Sequence, residues 1–184
     1  MRISGTMTAL DPDRGAVRVE DTYDTDIEDL WRACTRPDRL ARWIAQVSGD
    51  LRPGGTVQAV FTSTWSGPAV IENCEPPHHL LLTTEPGTAE TTQIEAWLTA
   101  DGPRTRLVVE ERGLPLDQLP FYGAGWQVHL DDLGRSLSAD GPVHPDGWSA
   151  QTPAPDWHRR WSELTPRYAA LADPALRDDA TLNA

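Results

Sequence analysis

Apolar and polar residues alternate over several short stretches of the chain, which is the pattern of half-buried β-strands. In residues 16–23, for example, Val17 and Val19 alternate with Arg18 and Glu20. Clusters rich in glycine and proline separate the stretches, as turns do. The predicted strands cover residues 3–10, 16–23, 56–64, 69–74, 80–85, 91–99 and 105–111. Their short turns and regular spacing indicate an antiparallel meander.

Two short helices are predicted between the second and third of these strands. The first begins after Thr25 or Asp26, because either side chain can cap a helix N-terminus. It ends at Pro37, because the residue before a proline avoids helical dihedral angles. The second short helix covers residues 38–44.

The longest predicted helix follows the last strand and covers residues 121–139. Its apolar stripe has the spacing of one helix face. The stripe consists of Trp126, Leu130, Leu133 and Leu137. A proline-rich link over residues 143–155 leads to a further helix over residues 156–172, for which Pro166 predicts an interruption.

Length and composition favour one domain with an added piece. The 184 residues, 39% of them hydrophobic, can bury a substantial core. We divide the chain into a core domain over residues 1–140 and an extension over residues 141–184, whose helix packs on the body or on a partner. The net charge of −12 argues against nucleic acid and anionic membranes as partners. Without a membrane-spanning run or signal segment, a cytoplasmic protein is expected.

The basic residues and cysteines restrict the possible chemistry. All 16 basic residues are arginine, which excludes Schiff-base chemistry and a lysine general base. Cys34 and Cys74 lie on predicted apolar faces and should be buried free thiols. Neither the spacing of a metal site nor a nucleotide-binding motif is present, so we expect no metal and no cofactor.

A series of short motifs, in order over about residues 16–139, resembles the START-like SRPBCC superfamily, specifically the branch related to the C-terminal domain of the heat-shock-protein-90 ATPase activator. The motifs are Leu30-Trp31-Arg32-Ala33-Cys34-Thr35 with Pro37, Leu40 and Trp43; Leu51-Arg52-Pro53-Gly54-Gly55-Thr56; Glu75-Pro76-Pro77 with Leu80; Thr105-Arg106-Leu107 with Gly113-Leu114; and Gly125-Trp126 with Leu130, Leu133 and Leu137. The resemblance implies an α+β helix-grip fold, in which a curved antiparallel sheet wraps around a long C-terminal helix and encloses a pocket.

Two positions depart from the pattern of that family. Many members have a tryptophan where this chain has Thr84, and many have a histidine where this chain has Glu111. Both positions should border the cavity. The ligand of a relative therefore cannot be assumed for this chain.

Three polar residues are candidates for chemistry at the pocket: Glu111, Tyr122 and His129. Tyr122 and His129 share a flank of the long helix, and Glu111 is aligned with the inward side of its strand. A carboxylate, a phenol and an imidazole around an apolar cavity could transfer protons. The alternative is that His129 covers the edge of the core while Glu111 pairs with Arg106 or Arg112.

The remaining aromatic residues raise one question of packing. Trp97 falls on the face of its strand that points away from the core, so the extension helix, with Trp157 and Trp161, is expected to cover the body near it. The rival interpretation is that these aromatic residues form the contact of a homodimer. The other four histidines are expected to be exposed: His78, His79, His144 and His158.

The leading functional hypothesis is a cytoplasmic protein that binds a hydrophobic or aromatic small molecule in an internal cavity. Its candidate lining residues are Trp43, Phe61, Trp65, Ile94, Ala96, Leu107, Val109, Glu111, Tyr122, Trp126, His129 and Leu133. A second hypothesis is a cofactor-free cyclase or dehydratase in the same cavity, with Glu111 and His129 as acid and base. A third is a protein-interaction module of the chaperone-adaptor kind, with the extension as its docking surface.

Overall fold

The computed structural model describes residues 2–139 and 141–171, and this part of the chain forms eight β-strands and four α-helices. In chain order they are β1 (Gly5–Ala9), β2 (Arg14–Tyr23), α1 (Ile27–Thr35), α2 (Pro37–Leu40), β3 (Ala45–Gly49), β4 (Thr56–Phe61), β5 (Ser66–Glu75), β6 (His79–Thr84), β7 (Thr92–Asp101), β8 (Arg104–Pro115), α3 (Leu119–Ser138) and α4 (Pro155–Leu171). The extension beyond residue 171 lies outside the described residues. Among the described helices, none is both long and apolar enough to cross a membrane.

All eight strands form one antiparallel sheet in the order β1-β2-β8-β7-β6-β5-β4-β3. The helix α3 lies across β1, β2 and β8, while α1 and α2 contact β7, β8 and β3. The α+β helix-grip fold is therefore confirmed. The sequence pattern missed β3, because its five residues lack a clear alternation of apolar and polar positions.

The helix α1 begins as predicted, because the side chain of Asp26 accepts a hydrogen bond of 2.8 Å from the backbone N–H of Asp29. Its buried residues include Leu30 and Trp31. The helix α2 is shorter than predicted and ends at Leu40. The chain then turns inward, where the indole of Trp43 donates a hydrogen bond of 3.0 Å to the carbonyl of Ala33 in α1.

The helix α3 is buried on two faces, whereas the sequence pattern predicted one. Trp126, Leu130 and Leu133 pack into the main core between α3 and the sheet. On the opposite face, Ala124 and Val128 pack into a second cluster formed with α4. The helix α3 therefore lies between the sheet on one side and α4 on the other.

The helix α4 runs without interruption from Pro155 to Leu171, so the predicted break at Pro166 is wrong. Pro166 is exposed, and the carbonyl that it leaves without a helical partner can therefore bind water. On either side of it, Leu164 and Tyr168 are buried against α3 and hold the helix in place.

The expectation that the extension covers Trp97 is also wrong, because α4 lies on α3. Trp97 instead has the guanidinium of Arg18 above its ring at 5.5 Å and the ring of His79 beside it at 6.0 Å. His79 was expected to be exposed. It is partly buried as the first residue of β6, and its Nε2 lies 2.7 Å from a carboxylate oxygen of Glu95.

His144 was likewise expected to be exposed, but this residue of the extension is buried against α3. Its Nε2 lies 2.8 Å from Oδ2 of Asp132, a carboxylate with no solvent exposure. Arg135 donates to the other oxygen of Asp132 at 3.0 Å, and Arg160 of α4 also pairs with that oxygen. These contacts fasten the extension to the outer face of α3.

Candidate functional site: an aromatic cleft and an adjoining apolar cavity

Two cavities lie next to each other between the sheet and the helices. The larger, which we call the outer cleft, has a volume of about 570 Å³. It is lined by Phe61, Ser63, Thr64, Trp65, Thr84, Ile94, Glu111, Phe121, Tyr122, Gly125, Trp126, His129, Gln151, Pro153, Trp157, His158 and Trp161. The residues of its wall thus come from the sheet, from the first half of α3 and from the extension.

The smaller cavity, which we call the inner cavity, has a volume of about 160 Å³ and lies between α1, α2 and the sheet. Its lining is almost entirely apolar. It consists of Cys34, Thr35, Leu40, Trp43, Ile44, Ala45, Val47, Leu51, Val57, Ala59, Phe61, Trp65, Ala69, Ile71, Cys74, Leu80, Leu82, Thr84, Ile94, Ala96, Leu107, Val109 and Trp126.

Five residues line both cavities and form the wall between them: Phe61, Trp65, Thr84, Ile94 and Trp126. Within this wall the rings of Phe61 and Trp65 meet edge to face, with centroids 5.1 Å apart. A molecule in the outer cleft would therefore touch the same aromatic side chains as one in the inner cavity.

The alternation of side chains along β8 distributes its residues between the two cavities. Leu107 and Val109 line the inner cavity, and Glu111, two positions further, lines the outer cleft. The register with β7 places Ile94 opposite Glu111 and Ala96 opposite Val109. The side chain of Glu111 therefore follows the apolar side chains of Leu107 and Val109 along the same side of β8.

Glu111 is buried, and both of its carboxylate oxygens accept hydrogen bonds. Oε2 accepts from the indole Nε1–H of Trp126 at 2.6 Å, and Oε1 accepts from the hydroxyl of Thr92 at 2.8 Å. The hydroxyl of Thr84 lies 2.7 Å from that of Thr92 and extends the network. Burial raises the pKa of Glu111 above its usual value, although the two hydrogen bonds act in the opposite direction.

The proposed pairing of Glu111 with an arginine is wrong. Arg106 pairs with Glu20 on the outer surface of the sheet, and Arg112 pairs with Glu95 and Glu110. Within residues 2–139 and 141–171, Glu111 forms no ion pair. Its hydrogen-bond donors among these described residues, Trp126 and Thr92, are both neutral.

His129 is buried on α3 and holds the extension through its ring. Its Nδ1 accepts a hydrogen bond of 3.1 Å from the indole Nε1–H of Trp157 and lies 3.4 Å from the hydroxyl of Thr62. Burial lowers the pKa of His129 to about 3, so the imidazole is neutral at physiological pH. With Nδ1 accepting, the ring proton is on Nε2.

The phenol and the thiols of the site are less reactive than their free counterparts. Burial raises the pKa of Tyr122, and the charge of Glu111 raises it further. Both cysteines line the inner cavity as free thiols. Burial raises the pKa of Cys34 to about 12 and also raises that of Cys74. These three groups remain protonated at neutral pH and can act as weak donors rather than as nucleophiles.

The candidate lining residues from the sequence fall into three groups. Phe61, Trp65, Ile94 and Trp126 line both cavities; Trp43, Ala96, Leu107 and Val109 line the inner cavity only; Glu111, Tyr122 and His129 line the outer cleft only. The structure places Leu133 elsewhere, fully buried in the core between α3 and the sheet. The position of Leu133 in the apolar stripe correctly predicted its burial. The stripe alone does not indicate whether a buried residue lines a cavity or packs against other side chains.

Sequence reasoning missed the contribution of the extension to the outer cleft. Trp157, Trp161 and His158 of α4 form part of its wall, together with Gln151 and Pro153 of the link. The one local signal was the run Gly123-Ala124-Gly125 in α3, since small residues allow another helix to approach closely. A Cβ atom built on Gly123 would lie 2.7 Å from the ring of Tyr168.

Comparison with known families identifies the core of the chain. Residues 24–138 match the family described as Activator of Hsp90 ATPase homolog 1-like protein. The chain belongs to this family. It is accordingly a START-like SRPBCC protein, as its motifs indicated, and its helix-grip fold is that of its structural neighbours. A search of curated proteins found no significant match.

Several solved structures are similar to this chain. CalU16 from Micromonospora echinospora is 28% identical, with a TM-score of 0.69 over 91% of this chain and 96% of that chain. DynU16, a protein in the dynemicin biosynthetic locus, is 25% identical, with a TM-score of 0.64 over 69% of this chain and 48% of its own. The protein encoded by gene BPP1335 from Bordetella parapertussis is 22% identical, with a TM-score of 0.63 over 84% of both chains, and shows the fold alone.

Proposed function

We propose that this protein binds a hydrophobic small molecule with an aromatic ring system, which spans the outer cleft and reaches the inner cavity. The observation that carries the proposal is the common aromatic wall between a cleft of about 570 Å³ and an almost wholly apolar cavity of about 160 Å³. Sites for small molecules usually combine such an apolar lining with a few polar groups.

The arrangement of the walls suggests which part of the ligand would lie where. The inner cavity offers aliphatic and aromatic contacts and no charged side chain, so an apolar ring system would gain most by entering it. The outer cleft offers Glu111, His129 and Tyr122, which would bind the polar part of the ligand. Exposed residues at the cleft, such as Phe121 and Gln151, mark the side from which a ligand would enter.

The similarity to DynU16, a protein in the dynemicin biosynthetic locus, supports a role connected with the biosynthesis of a small molecule. We propose a cytoplasmic binding protein rather than an enzyme, because the expected acid–base pair is incomplete. Nδ1 of His129 already accepts from Trp157 and Nε2 carries the ring proton, so the imidazole has no free lone pair with which to act as a base. The homodimer and the protein-interaction module remain predictions without an observation in their favour.

The proposal can be tested by filling the inner cavity. Ala96 lines this cavity on β7, whereas Ala100 is exposed on the same strand four residues later. We expect 2-naphthalenemethanol to bind the wild-type protein saturably in a titration followed by nuclear magnetic resonance. Ala96→Phe should weaken binding by about tenfold, because the new ring occupies the space that a buried naphthyl group needs.

The matched variant Ala100→Phe should bind the probe as the wild type does, because Ala100 is exposed near the end of β7 and does not line the cavity. If binding by the wild type is not saturable, or if Ala96→Phe binds as tightly as the wild type while remaining folded, the proposed site is wrong.

A further inference from the structure

We infer that the ligand of this protein carries a protonated basic nitrogen, which the carboxylate of Glu111 and the aromatic wall of the outer cleft bind together. The inference rests on the proposed function, because it names the chemical class of the molecule that the same site would take.

Glu111 has no positively charged arginine near it among the described residues that line the cavities. Among the described residues that line the two cavities, Glu111 is the one carboxylate, and no arginine is present. Its partners are the neutral indole of Trp126 and the neutral hydroxyl of Thr92. A buried carboxylate without a cation is costly, since the hydration that it loses is only partly replaced by neutral donors.

The two arginines nearest to Glu111 in the sequence of β8, Arg106 and Arg112, form ion pairs with other carboxylates. Arg112 follows Glu111 directly, but the alternation of the strand turns it to the other face of the sheet, where it donates to Glu95 at 2.6 Å and to Glu110 at 2.9 Å. Arg106 pairs with Glu20 at 2.5 Å. Within residues 2–139 and 141–171, no arginine therefore lines the cleft beside Glu111, and a cationic group of the ligand would supply the positive charge.

A further observation is the aromatic character of the cleft. Its aromatic lining consists of Phe61, Trp65, Phe121, Tyr122, Trp126, Trp157 and Trp161. The face of an aromatic ring attracts a cation by its negative quadrupole, most strongly where water is excluded. The net charge of −12 acts in the same direction over longer distances. A neutral ligand would pack against the rings, but it would gain neither the cation–π attraction nor the long-range attraction of the negative net charge.

His129 adds a hydrogen-bond donor to the polar groups of the cleft. Because Nδ1 accepts from Trp157, the neutral ring carries its proton on Nε2 and can only donate there. The polar groups of the cleft therefore include a carboxylate for a cationic nitrogen and an imidazole N–H for an acceptor atom of the same ligand.

The experiment compares two probes of equal size, 2-naphthylmethylamine, which is protonated at neutral pH, and 2-naphthalenemethanol, which is not. The wild type should bind the amine at least about tenfold more tightly, because a charge-assisted hydrogen bond and cation–π contacts are gained. In Glu111→Gln this preference should disappear, so that the amine binds only as tightly as the alcohol does to the same variant.

The matched control is Glu110→Gln, which changes the net charge equally at the neighbouring residue. Glu110 pairs with Arg18 and Arg112 on the other face of the sheet, so its replacement should preserve the preference for the amine. A second measurement does not depend on the folding of a variant. The indole N–H resonance of Trp126, which is bonded to Glu111, should shift more with the amine than with the alcohol in the wild type.

The outcomes separate the two proposals. Equal affinities of the wild type for amine and alcohol would overturn the cationic ligand and leave the apolar site intact. A preference for the amine that persists in Glu111→Gln would overturn the role of this carboxylate. Failure of both probes to bind saturably would overturn the inference together with the proposed function.

Discussion

The indole Nε1–H of Trp157 in α4 donates a hydrogen bond of 3.1 Å to Nδ1 of His129 in α3, and the two rings lie 5.2 Å apart. Both side chains are buried and both line the outer cleft. One contact thus joins the extension to the core domain, selects the tautomer of the histidine and completes the wall of the site. Stability and ligand binding should therefore depend on the extension together.

Replacing Trp157 with phenylalanine should destabilise the protein by about 2 kcal/mol, because the buried Nδ1 of His129 loses its strongest donor. Urea denaturation would measure the loss. The control is Trp161→Phe, because Trp161 donates to the carbonyl of Phe121 at an exposed position where water can replace it. Equal losses in the two variants would show that the bond to His129 has no special weight.

The buried His129 should make the protein sensitive to acid. Its pKa falls from 6.5 in the unfolded chain to about 3 in the fold, so the unfolded state binds more protons between these values. Stability is therefore complete above about pH 6.5 and decreases as the pH falls below it. Between pH 7.5 and pH 5.0 the loss from this residue should be about 2 kcal/mol.

Urea denaturation at the two pH values, with His129→Asn beside the wild type, would isolate this effect. Asparagine cannot titrate and can still accept from Trp157, so the variant should lose about 2 kcal/mol less on acidification than the wild type. His158→Asn removes an exposed imidazole and keeps His129, so it should retain the loss. An unchanged pH dependence in His129→Asn would contradict a buried neutral imidazole.

Two glycines of α3 should respond in opposite ways to alanine. A Cβ on Gly123 would lie 2.7 Å from the ring of the fully buried Tyr168, whereas a Cβ on Gly125 would lie 3.5 Å from Trp157, an ordinary contact. Gly125→Ala should stabilise the helix by up to about 1 kcal/mol. Gly123→Ala should destabilise the protein by about 1–3 kcal/mol, because α4 must move. Thermal melting would measure both, and similar shifts would contradict the close packing of α4 on Gly123.

The buried carboxylate of Asp132 should be the most important anchor of the extension. It accepts from His144, Arg135 and Arg160 and has no solvent exposure. Asp132→Asn should cost about 3 kcal/mol, because it removes the buried negative charge on which His144, Arg135 and Arg160 converge. Asp156→Asn, which removes a partly exposed partner of Arg135 and Arg160, should cost about 1 kcal/mol. Denaturant unfolding would compare them, and an equal cost would argue against the buried cluster as the anchor.

Much of the fold could be predicted from local patterns. The alternation along β8 placed Leu107, Val109 and Glu111 on one side of the sheet, because the period of a strand is two residues. The cap at Asp26 located the start of α1, because a helix leaves its first N–H groups without partners. Such features depend on residues close in sequence, and the chain displays them directly.

The site was predicted only in part, because partners distant in sequence complete it. The position of Glu111 at a cavity followed from the strand, but its partners Trp126 and Thr92 belong to two other elements. Similarly, nothing near His144 in the sequence indicates that Asp132 would bury it. Hydrogen bonds between residues distant in the chain do not appear as a periodic pattern in the sequence.

The sequence by itself therefore determined the order of seven of the eight strands and of the four helices, one core-facing side of elements such as β8 and α3, and the family to which the chain belongs. Only the tertiary structure decided that α4 covers the small residues of α3, that the extension forms a wall of the outer cleft, and that the hydrogen-bond donors of Glu111 are the neutral side chains of Trp126 and Thr92. The physical reason is that the periodicity of a segment shows which of its faces is apolar and will be buried. Which other element covers that face depends on the packing of residues that are distant in the sequence.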